Sequence, residues 1–317
     1  MSTAGQPLVS VVTPVYNGAA YLAECIESVL RQTHMRFEYV ISDNRSTDGS
    51  LELARRYEAQ DPRVRVVAHE DHLAHHLASW NRAMRLVSSE AKHVKVVHAD
   101  DWLYDDCLER MVDLAERHPT VGLVSSYRVD EDRVDLDGLP PHTEVLPGGE
   151  VARSHLLGGP LPFMFGSPTS TLVRADLVRK RERFYFEGNI HADTEACLDV
   201  LSESDFGFVH RVLTYTRRHN EAVTAFTRRI GTYAAADLDA FQRWGPVFLS
   251  DEEYERKLVV RLLSYGAFLA SRPGSWHRPE FRQYHGDRVR ELVSRTSVPQ
   301  LTRGVQHQLR RSLTGGR

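Results

Sequence analysis

The 317-residue chain is poor in cysteine, has no long apolar run and carries no surplus of positive charge. Its three cysteines, Cys25, Cys107 and Cys197, are far apart and form no CxxC pair. Cys25 and Cys107 fall in helical patterns and read as reduced core thiols of a cytoplasmic protein. No apolar stretch approaches the roughly 20 residues that span a bilayer. Met1 to Pro7 show no signal-peptide pattern, so a cytoplasmic location is expected. A formal net charge of -3 argues against a dedicated nucleic-acid binder. Two glycine-rich phosphate cradles are also missing. The turn after the first apolar run, Thr13-Pro14-Val15-Tyr16-Asn17-Gly18, holds one glycine where a nicotinamide-binding fold needs GxGxxG, and no GxxxxGK[ST] occurs. Lysine is scarce beside arginine, a feature of composition rather than of chemistry.

What is present is a globular composition, 41% apolar, in a clear rhythm. Strand patterns at Leu8–Val15, Phe37–Ile41, Val64–Ala68, Val94–Val97 and Val121–Ser125 alternate with helical ones. Leu22, Cys25, Ile26, Val29 and Leu30 have one-face helical spacing. Asp48 reads as the N-cap of a helix running to Tyr57, and further helices are expected over Ala78–Val87 and Cys107–Arg117. The alternation predicts an α/β fold with a doubly wound, mostly parallel sheet. After Tyr127 the rhythm breaks. Asp130–Asp137, Pro140–Gly149 and Gly158–Pro168 read as irregular, with a short strand over Thr169–Val173, a helix over Asp193–Ser202 and a late strand over Phe206–Thr216. From Ala225 onward the patterns are helical. Beyond Pro273 nine arginines face three acids, which reads as a solvated helical face or a contact with an anionic membrane surface. The divisions expected are 1–128, 129–224 and 225–317.

The most telling stretch is Val94 to Leu103. A short apolar strand ends in adjacent carboxylates, Asp100 and Asp101, where open α/β sheets bind ligands. Two such acids repel unless a cation or a donor neutralises them. Asp101 or Asp105 capping the next helix is the plainer alternative. A chain without a backbone phosphate cradle needs another counter-charge for a nucleotide, and a divalent metal on Asp100 and Asp101 supplies one.

Val11-Val12-Thr13-Pro14-Val15-Tyr16-Asn17, then Ile41-Ser42-Asp43-Asn44-Arg45-Ser46-Thr47-Asp48-Gly49-Ser50, then His98-Ala99-Asp100-Asp101 together resemble the ordered signatures of the family-two inverting glycosyltransferases with a GT-A fold. The match is clear over residues 8–128 and weak to about 224. It implies that Thr13, Pro14, Val15 and Tyr16 wrap a nucleotide, largely through backbone. It implies that Asp43 accepts from the base, uracil N3–H first, and that Asn81 makes a polar contact near the nucleotide. Asp100 would touch ribose or metal, and Asp101 is the leading ligand of Mn2+ or Mg2+. Position 98 departs from the pattern, since many relatives carry an acid there. His98 reads as a hydrogen-bonded histidine at a strand end, with metal ligation as the alternative.

In the second half, Gly188 to Leu198 matches the segment where the family places its general base. Asp193 is the candidate, helix capping its plain alternative and Glu195 its rival. Thr214 to Thr224 resembles a late Tyr-Arg-x-His segment, making His219 a further metal or diphosphate ligand and Arg218 a partner for leaving-group charge. His69, His72, His75 and His76 read as a flexible polar loop near the nucleotide pocket rather than a zinc site. The implied reaction is metal-dependent transfer from a UDP-sugar to a glycan or lipid-linked acceptor in surface polysaccharide assembly. A sugar-phosphate nucleotidyltransferase and a non-catalytic sugar- or nucleotide-binding module are the alternatives. The helical C-terminal region is open to a homodimer interface, a cover over the acceptor site or peripheral membrane contact.

Overall fold

The computed structural model describes residues 5–158, 165–218, 227 and 229–295. The chain divides into two compact units, one made of residues 1–188 with 192–218, the other of 189–191 with 219–317. The first is an α/β layer structure. Its elements in order are β1 (Val9–Val15), α1 (Ala19–Leu30), β2 (Phe37–Asp43), α2 (Ser50–Gln60), β3 (Val64–Ala68), α3 (His76–Met84), β4 (His93–Val96), β5 (Trp102–Leu103), α4 (Cys107–Arg117), β6 (Val121–Asp130), β7 (Arg133–Asp135), β8 (Val145–Leu146), α5 (Gly148–Leu157), a 3-10 turn (Pro168–Ser170), β9 (Leu172–Arg174), α6 (Ala175–Arg179), α7 (Ala192–Leu201) and β10 (Asp205–Thr216).

The sheet runs β3-β2-β1-β4-β9-β6-β10-β5, with β7 on β6 and β8 on β10. β1 to β4 pair in parallel, as do β6 and β10, while β9 lies antiparallel between β4 and β6. The expected mostly parallel sheet is therefore present. β1 is buried along its whole length, as a β-branched run covered on both faces must be. α1 turns Leu22, Cys25, Ile26 and Val29 into the core, and α4 adds Leu108, Met111, Val112 and Leu114. All three cysteines are buried free thiols, and burial pushes Cys25 up to about 12, which leaves it unreactive. A lysine also enters the core. Lys95 on β4 is fully buried, its Nζ 3.5 Å from Met111 Sδ, and burial lowers its pKa.

Several local expectations change. Helix α2 starts at Ser50 with Gly49 as N-cap at φ 94°, a left-handed conformation that suits glycine. Asp48 stands one residue outside, its carboxylate accepting from Ser50 N and, across the fold, from Ala19 N. Asp130–Asp137 is ordered as a hairpin of β6 and β7 rather than an irregular stretch. Pro140–Gly149 contains β8 and the start of α5. The late strand is found over Asp205–Thr216.

The second unit is helical in its described residues: α8 (Tyr233–Phe248), α9 (Asp251–Ala270) and α10 (Pro279–Arg295), with a 3-10 turn over Pro273–His277. Ser250 and Glu253 form a capping box at the start of α9. Tyr254 stacks on Phe241 at 5.4 Å and lies against Gly245, where a Cβ would fall 2.5 Å from its ring. His285 is buried between the Tyr265 hydroxyl and the Ile230 carbonyl, 2.8 Å from each. No helix among the described residues is long and apolar enough to cross a membrane.

Candidate active site

Parallel pairing brings the carboxyl ends of β1, β2 and β4 to one edge of the sheet, with Val15 beside Asp43 and Val96 beside Val12. The turns leaving β1 and β2 are stitched together there. Asn17 N donates to Ser46 Oγ at 3.0 Å, Gly18 N to Ser50 Oγ at 2.9 Å and Ala19 N to Asp48 Oδ2 at 2.9 Å. Helix N-termini bind phosphate through just such N–H groups. Here side chains from the next turn occupy the N–H groups of Asn17, Gly18 and Ala19. The missing glycine cradle thus has a structural counterpart: the amino end of α1 is closed by the chain itself.

Asp43 ends β2 fully buried. Its Oδ2 accepts from Ser46 N at 3.1 Å, while its Oδ1 has no hydrogen-bond partner. Tyr16 stands half exposed beyond β1, with its ring 4.3 Å from that of His72. Thr13, Pro14 and Val15 are buried in β1, and the Thr13 hydroxyl bonds Tyr39 OH at 2.9 Å, so their side chains face the core. The histidine loop is tied down rather than loose. Asn44 Nδ2 donates to Leu73 O, Leu73 N donates to Asn44 Oδ1, and His69 bonds the Ser42 hydroxyl. Asn81 is committed to holding another segment. Its Nδ2 donates to Tyr185 O and Glu187 Oε1, and its Oδ1 accepts from Tyr185 N.

His98, Asp100 and Asp101 follow β4. Each offers one ligand atom, and these atoms lie within 4.8 Å of one another, the one group of this kind among the described residues. Asp101 is 3% exposed and doubly held, Oδ2 accepting from Thr169 Oγ1 at 2.6 Å and Oδ1 from Arg217 N at 3.0 Å. It caps no helix: the N-cap of α4 is Asp106. Burial, reinforced by Asp100, pushes the Asp101 carboxyl up to about 8 against the pull of its two donors. The expected hydrogen-bonded histidine is not found. Among the described residues neither ring nitrogen of His98 has a hydrogen-bond partner, Nε2 being buried and Nδ1 standing 4.0 Å from Asp101 Oδ2. The ring packs instead on Trp80, centroids 4.4 Å apart.

Asp193 opens α7, with its Oδ1 accepting from Thr194 N at 2.9 Å. It lines a mainly apolar pocket with Leu123, Ser167, Pro168, Phe184, Tyr185 and Cys197. Burial raises its carboxyl above the ordinary range. The rival Glu195 is buried on the same helix. One turn joins the two acidic places: Ser167 and Pro168 line the Asp193 pocket, while Thr169 donates to Asp101. Arg128 favours the charged form of both Asp101 and Asp193. Arg218 is paired with Asp130 through both arms of its guanidinium. His219 lies outside the described residues.

Arg217, Thr169 and Trp80 were not singled out by sequence reasoning. Arg217 lies in the Thr214–Thr224 segment beside Arg218 and His219. Its Nε donates to the Asp100 carbonyl at 3.1 Å, its Nη2 reaches Glu24, and its guanidinium lies 4.6 Å from the Tyr21 ring centroid.

Residues 10–180, more than half of the chain, match the family model described as glycosyl transferase family 2. The chain belongs to that family. Over 154 residues it is 30% identical to the putative teichuronic acid biosynthesis glycosyltransferase TuaG of Bacillus subtilis, covering 48% of this chain and 60% of that protein. Over 125 residues it is 32% identical to the glycosyltransferase GlyG of Streptococcus pneumoniae, covering 39% and 40% respectively. The chain thus spans about half the length of these relatives. Among solved structures it resembles S. aureus TarS 1–349 in complex with UDP-GlcNAc, with a TM-score of 0.62, 16% identity, and 89% and 80% of the two chains covered. It also resembles the mannosyltransferase PcManGT of Pyrobaculum calidifontis in complex with GDP-Man and Mn2+, with a TM-score of 0.57, 17% identity, and 98% and 82% covered. At these identities the likeness is one of fold, the GT-A fold. The family-2 signatures lie on the strand ends that form the site edge.

Proposed function

We propose that this family-2 chain transfers a glycosyl group with inversion from a nucleotide diphosphate sugar, UDP-linked, to an acceptor hydroxyl in polysaccharide assembly. The acceptor is a glycan or lipid-linked glycan. The observation that carries the reading is the edge itself. A closed α1 terminus removes the usual phosphate cradle, and a held acid pair stands beside it. Asp43, whose buried Oδ1 has no partner among the described residues, is the acceptor for the N3–H of uracil, a donor that cytosine lacks. Tyr16 and His72 flank that end of β1. The donor set of two carboxylates and an imidazole fits a divalent cation, Mn2+ or Mg2+, on Asp100 and Asp101. When bound, such a cation neutralises charge on the departing diphosphate.

Asp193 takes the acceptor proton. The acceptor oxygen forms its bond to the anomeric carbon as the bond to the diphosphate breaks, and the electron pair leaves on the diphosphate. The single step inverts the centre. Burial makes Asp193 a stronger base than an exposed carboxylate. The turn that carries Thr169 runs from the lining of the Asp193 pocket to Asp101.

A melting panel of UDP-, GDP- and dTDP-sugars, with and without Mn2+, tests the reading. A UDP-sugar with Mn2+ at about 100 times its Kd stabilises the folded chain by about 2.7 kcal/mol. No stabilisation by any donor overturns the proposal. Diphosphate release from a sugar phosphate and a nucleoside triphosphate would favour a nucleotidyltransferase instead.

A further inference from the structure

We propose that His98 supplies a nitrogen donor to the cation site of Asp100 and Asp101, and so biases that site toward first-row transition metals over Mg2+. The inference rests on the metal-dependent reading above and concerns which ion the chain selects.

The placement of the ring carries it. The His98 backbone N–H donates to Thr169 Oγ1 at 3.1 Å, and the same hydroxyl donates to Asp101 Oδ2 at 2.6 Å. One oxygen therefore registers the root of the imidazole against the carboxylate. The His98 carbonyl is also engaged, accepting from Cys25 Sγ at 3.4 Å. The ring has Trp80 against it at 4.4 Å, and Trp80 is itself wedged edge-on between His76 at 5.2 Å and Tyr185 at 5.4 Å. This packing fixes the imidazole in place without using its nitrogens.

A buried imidazole nitrogen normally finds a partner, because leaving it unpaired is costly. Here Nε2 has none, and Nδ1 is 4.0 Å from Asp101 Oδ2, too far for a hydrogen bond. Two donors each about 2.1 Å from one ion stand about 3.0–3.4 Å apart in cis-octahedral or tetrahedral sites, so a movement of under about 1 Å brings this nitrogen to an ion shared with Asp101. The bare ring thus stands within reach of a shared ion and lacks the hydrogen bonds of a structural histidine. Imidazole favours Co2+, Ni2+ and Zn2+, whereas an all-oxygen site suits Mg2+. Replacing a third carboxylate by imidazole also lowers the negative charge of the site, which weakens its hold on a hard cation.

The test uses the full chain with metal alone, then with UDP added. Titration calorimetry gives the affinities for Co2+, Mn2+ and Mg2+. In His98→Asp the preference for Co2+ over Mg2+ is expected to fall about tenfold or more. Pulsed electron paramagnetic resonance of bound Mn2+ reads the donor directly. The wild-type chain is expected to show 14N coupling from a coordinated imidazole, and His98→Asn to lose it. The wild-type spectrum needs no substitution, so misfolding of a variant leaves the inference falsifiable. Metal binding without 14N coupling, or a preference altered less than twofold, overturns the role of His98 and leaves the proposed reaction standing. No metal binding with or without UDP overturns both.

Discussion

Asp193, the proposed base, carries a carboxyl that burial has made more basic than usual. If it acts in its deprotonated form as proposed, the rate should rise with pH through a point above the ordinary carboxylate range. Asp193→Asn should remove that acid limb and lower kcat by about 10²–10⁴-fold while leaving UDP binding intact, as pH–rate profiles and calorimetry would show. Asp101 permits a second prediction, in chelator and without donor. Its folded pKa of about 8 exceeds the ordinary value of 3.8, so the folded chain holds a proton that the unfolded chain releases between these values. Folded stability attributable to this group is full at the acid end, falls as pH rises between the two values and levels off above about 8. Asp101→Asn should flatten that slope, raising the melting temperature at pH 8 by about 2–4 °C per kcal/mol relieved. At this scale the acids were legible, because adjacent carboxylates at a strand end stand out in one dimension. Thr169 and Arg217 were not. Each meets Asp101 across a large sequence separation that only the completed sheet closes.

The long strands and helices of the first 128 residues follow from periodicity, since each is a run whose burial pattern matches its spacing. β5 escapes it, having two residues, too few for a period to show. The short strand expected over Thr169–Val173 is found as β9 at Leu172–Arg174, its first residues forming a 3-10 turn instead. The direction of β9 is set by its pairing with β4 and β6 and not by its own composition. The same holds for the role of Asp48, which the sequence gives to one helix and the structure divides between the starts of α1 and α2. Where β10 ends, Arg217 ties that strand to α1 through Glu24 and Tyr21 and to the acid turn through the Asp100 carbonyl. Arg217→Ala should weaken Mn2+ affinity by about 10–100-fold with little loss of helix content, measured by calorimetry and circular dichroism. Arg217→Lys should not restore it, because an ammonium lacks the planar fork that makes these contacts together.

Across the whole chain, every described residue of the candidate site belongs to the α/β unit, while the helical unit has its own buried aromatic cluster around His285. The tryptophans divide conveniently, Trp80 and Trp102 in the first unit and Trp244 and Trp276 in the second. Single-tryptophan variants melted with UDP and Mn2+ should show the rise in midpoint at Trp80 and Trp102. A rise confined to Trp244 and Trp276 would place the nucleotide in the other unit. Sequence patterns showed that the last third is helical, but the role of those helices depends on surfaces that periodicity does not identify.

The position of β9 bears on how the protein is made. A ribosome delivers β1 to β4 early, yet the neighbour that covers the free flank of β4 is not complete until residue 174. At about 5–20 residues per second the nascent sheet waits on the order of ten seconds with that flank bare. During this interval its unpaired amides can template association with another emerging chain. Slow passage through residues 97–174 would lengthen that exposure, and chaperone occupancy at this stage of translation should govern the yield of native protein.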